Sequence, residues 1–262
     1  MSTRATTPAA APADLAGRVA LVTGAGNGIG RATARHLAAR GAIVGVNDLK
    51  AEFVDASVAA IRDAGGEAFG VVQNVSTRDG MHAAVALAHG HRGRFDIMVN
   101  NAAWVRYQAV PDIAPETVER MIAIGFSAVI WGMQAAAAAM DDTRGGTIVN
   151  VASTAALRSA KHSVVYSGIK AGILGLTRAA AAELGVRGIR VNAVCPSAVP
   201  TEGTQRNRNA ERDARRVATT PLGRLGTVDD IARGIGFLCS DAAGFVTAQA
   251  LVVDGGITFT NL

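Results

Sequence analysis

The stretch TGAGNGIG, Thr23 to Gly30, decides the fold of this chain. It follows the apolar run RVALVT (Arg18–Thr23), which we predict to be a strand, and it precedes an Ala-rich segment typical of a helix. Its glycines follow the spacing G-x-x-x-G-x-G at Gly24, Gly28 and Gly30. They permit a tight turn and close approach of backbone N–H groups to a phosphate. Such a turn can be a mere bend, but between a first strand and a first helix it favours a dinucleotide site.

Six further short runs, rich in Val and Ile, alternate with longer Ala-rich stretches. Their near-continuous apolar character favours strands buried on both faces, and the intervening helices favour right-handed βαβ units. We therefore predict an α/β fold: a single doubly wound, seven-stranded parallel sheet, Rossmann-like, with helices on both faces. The six runs are Ala42–Asn47, Glu67–Gln73, Phe95–Asn100, Gly146–Ser153, Ile189–Cys195 and Ala250–Asp254.

Composition excludes several classes of protein. Hydrophobic residues make up 49% of the 262, which is enough for a large core. The net charge of +5 would permit an acidic partner, but the basic residues are spread out and not interleaved with aromatic ones, so we expect no nucleic-acid binding. Cys195 and Cys239 form no disulfide framework and have no metal-ligand spacing, so we expect no metal and a reduced, cytoplasmic protein.

The ends of the chain suggest a simple organisation. Residues 1–14 are rich in Ala, Thr and Pro and lack the apolar core of a signal peptide, so we expect a flexible tail. Residues 15–262 should form one domain. The apolar run Gln134–Met140 is too short to span a bilayer, so we expect a soluble protein with no membrane partner.

Asp48 ends the second predicted strand, eighteen residues after Gly30. A carboxylate there can accept hydrogen bonds from the adenosine ribose hydroxyls and would repel a 2′-phosphate. Taken alone, a solvated acid at the start of a loop explains it equally well. The neighbours Asn27 and Leu49 offer no cation for a 2′-phosphate. We therefore predict NAD (NADH) rather than NADP as cofactor.

Seven motifs in order resemble the short-chain dehydrogenase/reductase family, over roughly Leu15 to Phe259. The resemblance implies a Rossmann-like sheet, NAD(P) chemistry on an alcohol or carbonyl, and a homotetramer. The motifs are TGAGNGIG, NNAA (Asn100–Ala103), the serine of VNVAS, YSGIK (Tyr166–Lys170), IRVNAVCP, PLGRL (Pro221–Leu225) and VVDGG (Val252–Gly256).

The same resemblance implies roles for individual residues. Tyr166 is similar to the family's acid/base, Lys170 to the residue that lowers its pKa, and Ser153 to the group that polarises the substrate oxygen. Thr201 matches a threonine that contacts the nicotinamide carboxamide. The predicted cofactor-binding set is Gly24, Asn27, Gly28, Ile29, Gly30, Asp48, Asn74, Val75, Asn101, Ala102, Tyr166, Lys170, Pro196, Val199 and Thr201.

Elementary chemistry supports these roles. A phenol with a pKa near its reference value of about 10 is a poor base at neutral pH. Tyr166 and Lys170 lie four apart, on one face of a helix, where an ammonium and a cationic nicotinamide would both stabilise the phenolate. The Ser153 hydroxyl can stabilise alkoxide charge while Tyr166 takes the proton and hydride passes to the nicotinamide. We predict an oxidoreductase that acts on a secondary alcohol or ketone.

The chain departs from the family pattern at several positions. Gly125 stands where the family carries an asparagine that holds a relay water. A replacement water, Ser127 or another group could serve instead, or catalysis could be weakened or lost, leaving an NAD(H)-binding protein with little turnover. Asn74 replaces an aspartate, and Ser197 and Ala248 replace glycines, which puts the local backbone in question.

The segment 197–221 corresponds to the family's substrate lid. Its arginines could recruit a carboxylate, a coenzyme A thioester or an acyl carrier protein, or they could form a solvated helix face. A ketoacyl-thioester reductase is therefore an alternative function, although Asp48 disfavours its usual NADPH. Trp104, Ala155 and His162 are candidate pocket residues, for which an apolar or aromatic alcohol is the expected substrate. The arginines are Arg206, Arg208, Arg212, Arg215 and Arg216.

Overall fold

A computed structural model describes residues 13–203 and 209–260. Its centre is one seven-stranded sheet with the order β3-β2-β1-β4-β5-β6-β7, in which every adjacent pair is parallel. The predicted fold class is confirmed. The strands are β1 Val19–Val22, β2 Ile43–Asp48, β3 Glu67–Val72, β4 Ile97–Asn100, β5 Gly146–Val151, β6 Ile189–Pro196 and β7 Ala250–Val253.

The strand order reverses between β1 and β4, which lie side by side although two strands separate them in the chain. Crossovers from β1 and from β4 leave in opposite directions, so a crevice opens at the carboxyl ends of these strands. All four residues of each strand are buried, because helices cover both faces. This crevice is where an open α/β sheet binds its ligand.

The described residues form eight α-helices in two layers. One buried cluster joins α1, α2 and α8 to the sheet, and a second joins α3, α5 and α6 to the opposite face. The helices are α1 Gly28–Ala39, α2 Ala51–Asp63, α3 Arg78–Arg92, α4 Pro115–Ile122, α5 Ala128–Ala139, α6 Val164–Leu184, α7 Ala210–Ala218 and α8 Val228–Cys239.

A π-helical turn at Ala123–Ser127 joins α4 and α5 into one continuous helix. Among the described residues this helix, Pro115–Ala139, is the one long and apolar enough to cross a membrane, and 44% of its most apolar window is buried. Most of the run Gln134–Met140 therefore lies in an apolar helix that extends well beyond the run itself. One side of the helix packs on α3 and on the sheet.

The N-terminal boundary differs slightly from expectation. Arg40 donates to Asp14 through Nε (2.9 Å), and the Leu15 N–H donates to the Arg40 carbonyl oxygen (3.0 Å). Asp14, assigned to the tail from sequence, is thus tied to the domain. The rest of the predicted tail, apart from Ala13, lies outside the described residues.

Candidate active site

The glycine-rich turn connects β1 to α1 at the crevice. Gly28 has a φ of +54°, a left-handed conformation that favours glycine. At Gly26, a Cβ would lie 2.5 Å from Oδ2 of Asp48 and 2.7 Å from Cβ of Phe53, so only glycine fits there. The motif spacing does not single out Gly26, because its constraint comes from the neighbouring strand.

Polar contacts hold this turn in place. The Arg31 Nε donates to the Gly26 carbonyl oxygen (2.9 Å) and to Oγ of Ser57 (3.2 Å). Thr23 Oγ1 accepts from the N–H groups of Asn101 (2.9 Å) and Ala102 (3.0 Å). The predicted Asn101–Ala102 loop therefore lies directly beside the turn. Sequence reasoning missed the supporting roles of Arg31 and Thr23.

A carboxylate already lies at the start of α1. The Gly28 N–H donates to Oε2 of Glu202 (3.1 Å), and Oε1 of Glu202 lies 3.7 Å from Nη1 of Arg31. The Gly28 N–H is one of the free donors at a helix N-terminus, where a pyrophosphate is expected to bind. A carboxylate in this place shows that the donors present suit an anion. Nothing in the sequence pointed to Glu202.

Asp48 ends β2 beside the turn. Its Oδ1 accepts from the N–H groups of Leu49 (2.8 Å) and Lys50 (3.3 Å), while Oδ2 faces Gly26. The carboxylate is thus fixed at the edge of the crevice, where it can accept from a ribose. Lys50, which sequence reasoning did not consider, places its ammonium 5.0 Å from the Phe53 ring centroid.

The other predicted cofactor residues follow the carboxyl edge of the sheet. The Oδ1 atom of Asn74 accepts from the backbone N–H (3.1 Å) and hydroxyl (2.7 Å) of Ser76, so the amide is already held by its own loop. Thr201 lies against the turn, with Cβ 3.3 Å from the position that a Gly28 Cβ would take. Asn27 precedes α1, Ile29 lies within it, Val75 is buried after β3, Pro196 ends β6, and Val199 packs on the core.

Ser153, Tyr166 and Lys170 meet beyond the end of β5. Ser153 follows that strand and starts a 3₁₀ turn, with its Oγ accepting from the Ala155 N–H (3.1 Å). Tyr166 and Lys170 lie on one face of α6, with Nζ 5.8 Å from the Tyr166 ring centroid. The Ser153 hydroxyl acts on the Tyr166 phenol and lowers its pKa. A hydroxyl, a phenol and an amine are therefore brought to one point of the crevice.

Burial controls the ionisation of this pair. It raises the pKa of Tyr166 to about 12, an effect that the hydrogen bond with Ser153 opposes. Burial also lowers the pKa of Lys170 to about 8, since the side chain is only 4% exposed. The Nζ donates to the Val151 carbonyl oxygen (2.6 Å). That Lys170 lowers the Tyr166 pKa stays a prediction.

A second tyrosine lies at the mouth of the site. The Tyr107 ring meets the Tyr166 ring edge to face, with centroids 5.8 Å apart and an interplanar angle of 72°. Desolvation raises the pKa of Tyr107, while the positive charges of Arg216 and Arg212 on α7 lower it. Two lid arginines therefore act electrostatically at the site entrance. Arg206 and Arg208 lie outside the described residues.

The three predicted pocket residues occupy different environments. Ala155 lies next to Ser153, as its hydrogen bond shows. Trp104 is partly buried under the Arg120 guanidinium, whose carbon lies 4.3 Å from the ring centroid. His162 is exposed, with a φ of +65°, and its carbonyl oxygen accepts from the Gln108 N–H (3.0 Å). The backbone of His162 thus ties together the two loops that carry Tyr107 and Ser153.

Gly125 lies inside the π turn and is buried. A Cβ there would meet Cγ2 of Ile169 at 3.4 Å, which is ordinary contact, so an added methyl group has room. In the described ranges 13–203 and 209–260, no group of three His, Cys, Asp or Glu residues could hold a metal ion.

Known proteins share both the sequence and the fold. The profile of a family described as Enoyl-(Acyl carrier protein) reductase matches residues 24–258. A cis-4-hydroxycyclohexanecarboxylate dehydrogenase from Sinomonas cyclohexanicum is 40% identical over 242 residues, covering 92% of this chain and 96% of that protein. A short-chain dehydrogenase/reductase from Serratia marcescens superposes with a TM-score of 0.88 at 33% identity, covering 94% and 99% of the two chains. A 7α-hydroxysteroid dehydrogenase, solved with NADH and 7-oxo glycochenodeoxycholic acid, has a TM-score of 0.90 at 32% identity and covers 95% and 98%.

Proposed function

The chain belongs to the short-chain dehydrogenase/reductase family, and from this we propose that it is an NAD-dependent oxidoreductase that interconverts a secondary alcohol and its ketone. The observation that carries the proposal is the meeting of Ser153, Tyr166 and Lys170 beside the glycine turn. The chain is an oxidoreductase of this family, whose members use NAD(P)(H).

A bound nicotinamide dinucleotide would accept or supply the hydride. The Ser153 hydroxyl would donate to the substrate oxygen and stabilise its negative charge. Tyr166 would take the hydroxyl proton during oxidation and return it during reduction. Lys170, held by the Val151 carbonyl oxygen, would keep a positive charge near the phenolate as that charge develops.

Two features bear on the cofactor and on assembly. The fixed carboxylate of Asp48 at the end of β2 supports NAD over NADP, because it would repel a 2′-phosphate. The long apolar helix Pro115–Ala139, less than half buried in its most apolar window, supports the homotetramer that we propose.

We also place the protein in the cytoplasm, because its two cysteines, Cys195 and Cys239, are buried and unpaired.

One observation favours a substrate that carries an acidic group. The charges of Arg212 and Arg216 reach Tyr107, which touches the catalytic Tyr166. The similar Sinomonas enzyme is named for a hydroxycarboxylate. An alcohol with a carboxylate or a thioester is therefore the second candidate, beside the apolar or aromatic alcohol.

The test is NADH formation by wild type and Tyr166→Phe across secondary alcohols. Each neutral alcohol is paired with a carboxylated analogue of the same size, and NADP⁺ is run alongside NAD⁺. Removal of an acid/base costs about 10²- to 10⁴-fold in rate. We expect the variant to lose that much turnover while still binding NADH, since the phenyl ring preserves the packing against Tyr107.

The outcomes separate the alternatives. Turnover that survives Tyr166→Phe would overturn the assigned role of Tyr166. Binding of NADH without turnover of any alcohol or ketone would favour a cofactor-binding protein weakened at Gly125. A preference for NADP⁺ would contradict the role given to Asp48.

A further inference from the structure

Glu202 makes a contact that the proposed reaction does not use. Its carboxylate spans the first turn of α1, with Oε2 accepting from the Gly28 N–H (3.1 Å) and Oε1 3.7 Å from Nη1 of Arg31. The side chain is 58% exposed, so burial does not force it into this place. The contact joins two segments that are 174 residues apart in the chain.

Electrostatics explains why a carboxylate is held there. The α1 helix is 12 residues long, and its free N–H groups and dipole favour a negative charge at its N-terminus. Arg31 adds a positive charge, and its Nε bond to the Gly26 carbonyl oxygen fixes it to the turn. In a dinucleotide-binding βαβ unit the pyrophosphate occupies the same N-terminus. One set of donors cannot serve two anions at once.

We propose that the Glu202 carboxylate is an internal competitor for the pyrophosphate site, so that the cofactor must displace it to bind. This rests on the proposed function only in requiring a dinucleotide cofactor. Binding then breaks the Gly28 and Arg31 contacts, and the carboxylate can return to them when the cofactor leaves.

The neighbouring residue links this exchange to the other end of the cofactor. Thr201 precedes Glu202 and packs against Gly28. The displaced carboxylate therefore leaves from beside the residue predicted to contact the nicotinamide carboxamide.

The experiment compares NADH binding to wild type, Glu202→Gln and the control Glu211→Gln. The glutamine at 202 removes the charge but keeps the size of the side chain. Glu211 is an exposed acid in the first turn of α7, so its variant changes the net charge equally. From the strength of anion–helix and exposed ion-pair interactions, we expect Glu202→Gln to bind NADH about three- to tenfold more tightly and to release it more slowly.

A ligand series identifies the atoms involved. Adenosine has no phosphate, so its affinity should be the same in all three proteins, whereas ADP-ribose should follow NADH. Unchanged or weaker NADH binding by Glu202→Gln would overturn the proposal, as would an equal gain in Glu211→Gln. If none of the three proteins binds NADH, the proposed function itself fails, and that result differs from equal affinities.

Discussion

Lys170, the proposed catalytic lysine, lies in an environment very different from that of an exposed lysine. Lys170 is buried, its pKa is lowered to about 8, and its Nζ is held by the Val151 carbonyl oxygen. Its neighbour Tyr166 is also buried, which raises the pKa of the phenol to about 12. The spacing of YSGIK predicts that these residues share a helix face, but it cannot predict how deeply they lie, because depth is set by distant parts of the chain.

Lys170 should therefore make stability depend on pH. The unfolded chain binds its proton with a pKa near 10.5 and the folded chain with a pKa near 8, so the folded state gains stability as pH rises between these values. Relative to Lys170→Met, wild type should gain about 2 kcal/mol in free energy of unfolding between pH 7 and pH 10. Urea denaturation of both proteins at each pH measures this. A constant difference would show that Lys170 titrates normally.

The backbone at Ala248 is strained, as the replacement of a glycine at this position suggests. It replaces a glycine of the family pattern, and its φ of +62° is a left-handed conformation that alanine adopts at a cost of about 1–2 kcal/mol. Its N–H donates to the Val191 carbonyl oxygen (2.8 Å), which holds the backbone in this shape before β7.

Ala248→Gly should consequently stabilise the protein by about 0.5–1 kcal/mol, since the relief of strain exceeds the entropy that glycine adds to the unfolded chain. Thermal or urea unfolding measures the change. Ala179→Gly, at an exposed position inside α6, is the matched control and should destabilise by about 1 kcal/mol. Equal losses in both variants would contradict the strain at Ala248.

Two site residues escaped prediction for a common reason. Glu202 reaches Gly28 and Tyr107 reaches Tyr166 from loops whose course no local pattern determines. The sequence shows only an acid after a threonine and a tyrosine after an arginine. Their roles follow from long-range loop packing, so they emerge only with the structure.

At the scale of elements, the π turn Ala123–Ser127 lies closest to function. Such turns replace the regular i→i+4 hydrogen bonds and often occur at functional sites. This turn carries Gly125. A Cβ added at Gly125 would contact the side chain of Ile169, the residue before Lys170. The turn therefore packs on α6 close in sequence to Lys170, and it carries the position where the family has an asparagine.

Two substitutions at Gly125 test the stability of the helix and the proton relay separately. Gly125→Ala should raise the free energy of unfolding by about 0.5–1 kcal/mol, because the added methyl makes ordinary contact and alanine favours a helix. Gly125→Asn should turn over alcohol about threefold faster or more than Gly125→Ala, because only the amide can hold a water beside Lys170. Chemical denaturation and steady-state rates test the two effects.

Equal turnover in the alanine and asparagine variants would mean that the relay does not need this position. Loss of stability in Gly125→Ala would mean that the π turn itself requires glycine.

Strands were easier to predict than helix details. Each predicted run contains a strand, because stretches buried on both faces must be apolar throughout. The π turn could not be predicted, since its residues suit a regular α-helix equally well. The union of α4 and α5 was missed for the same reason: only the packing of both on the sheet reveals one helix.

At the scale of the whole molecule, the layered fold could be predicted and the assembly could not be derived. Alternating strands and helices leave few topologies, and the right-handed crossover rule selects among them. The chain's partners in an oligomer depend instead on surface shape. The helix Pro115–Ala139 presents apolar residues that its own chain leaves partly exposed, among them Ile122, which is 40% exposed.

We expect a homotetramer in solution. Light scattering coupled to size exclusion should give about four times the chain mass of 26.7 kDa. Ile122→Lys should shift the distribution towards smaller species if this face forms a contact, because a lysine is costly in an apolar interface. Exposed Val186→Lys, in the 3₁₀ turn that follows α6, is the control and should leave the mass unchanged. A monomeric wild type would contradict the expectation.

The edge-to-face contact of Tyr107 and Tyr166 brings together the chain's entire tyrosine content. Fluorotyrosine built into the whole protein would therefore give two fluorine resonances, both arising from the proposed catalytic centre, and Tyr166→Phe would assign them. The chemical shift of a fluorinated phenol follows its ionisation. A magnetic-resonance titration could thus follow the ionisation of Tyr166 as cofactor binds. No fluorine signal from elsewhere in the molecule would overlap with it.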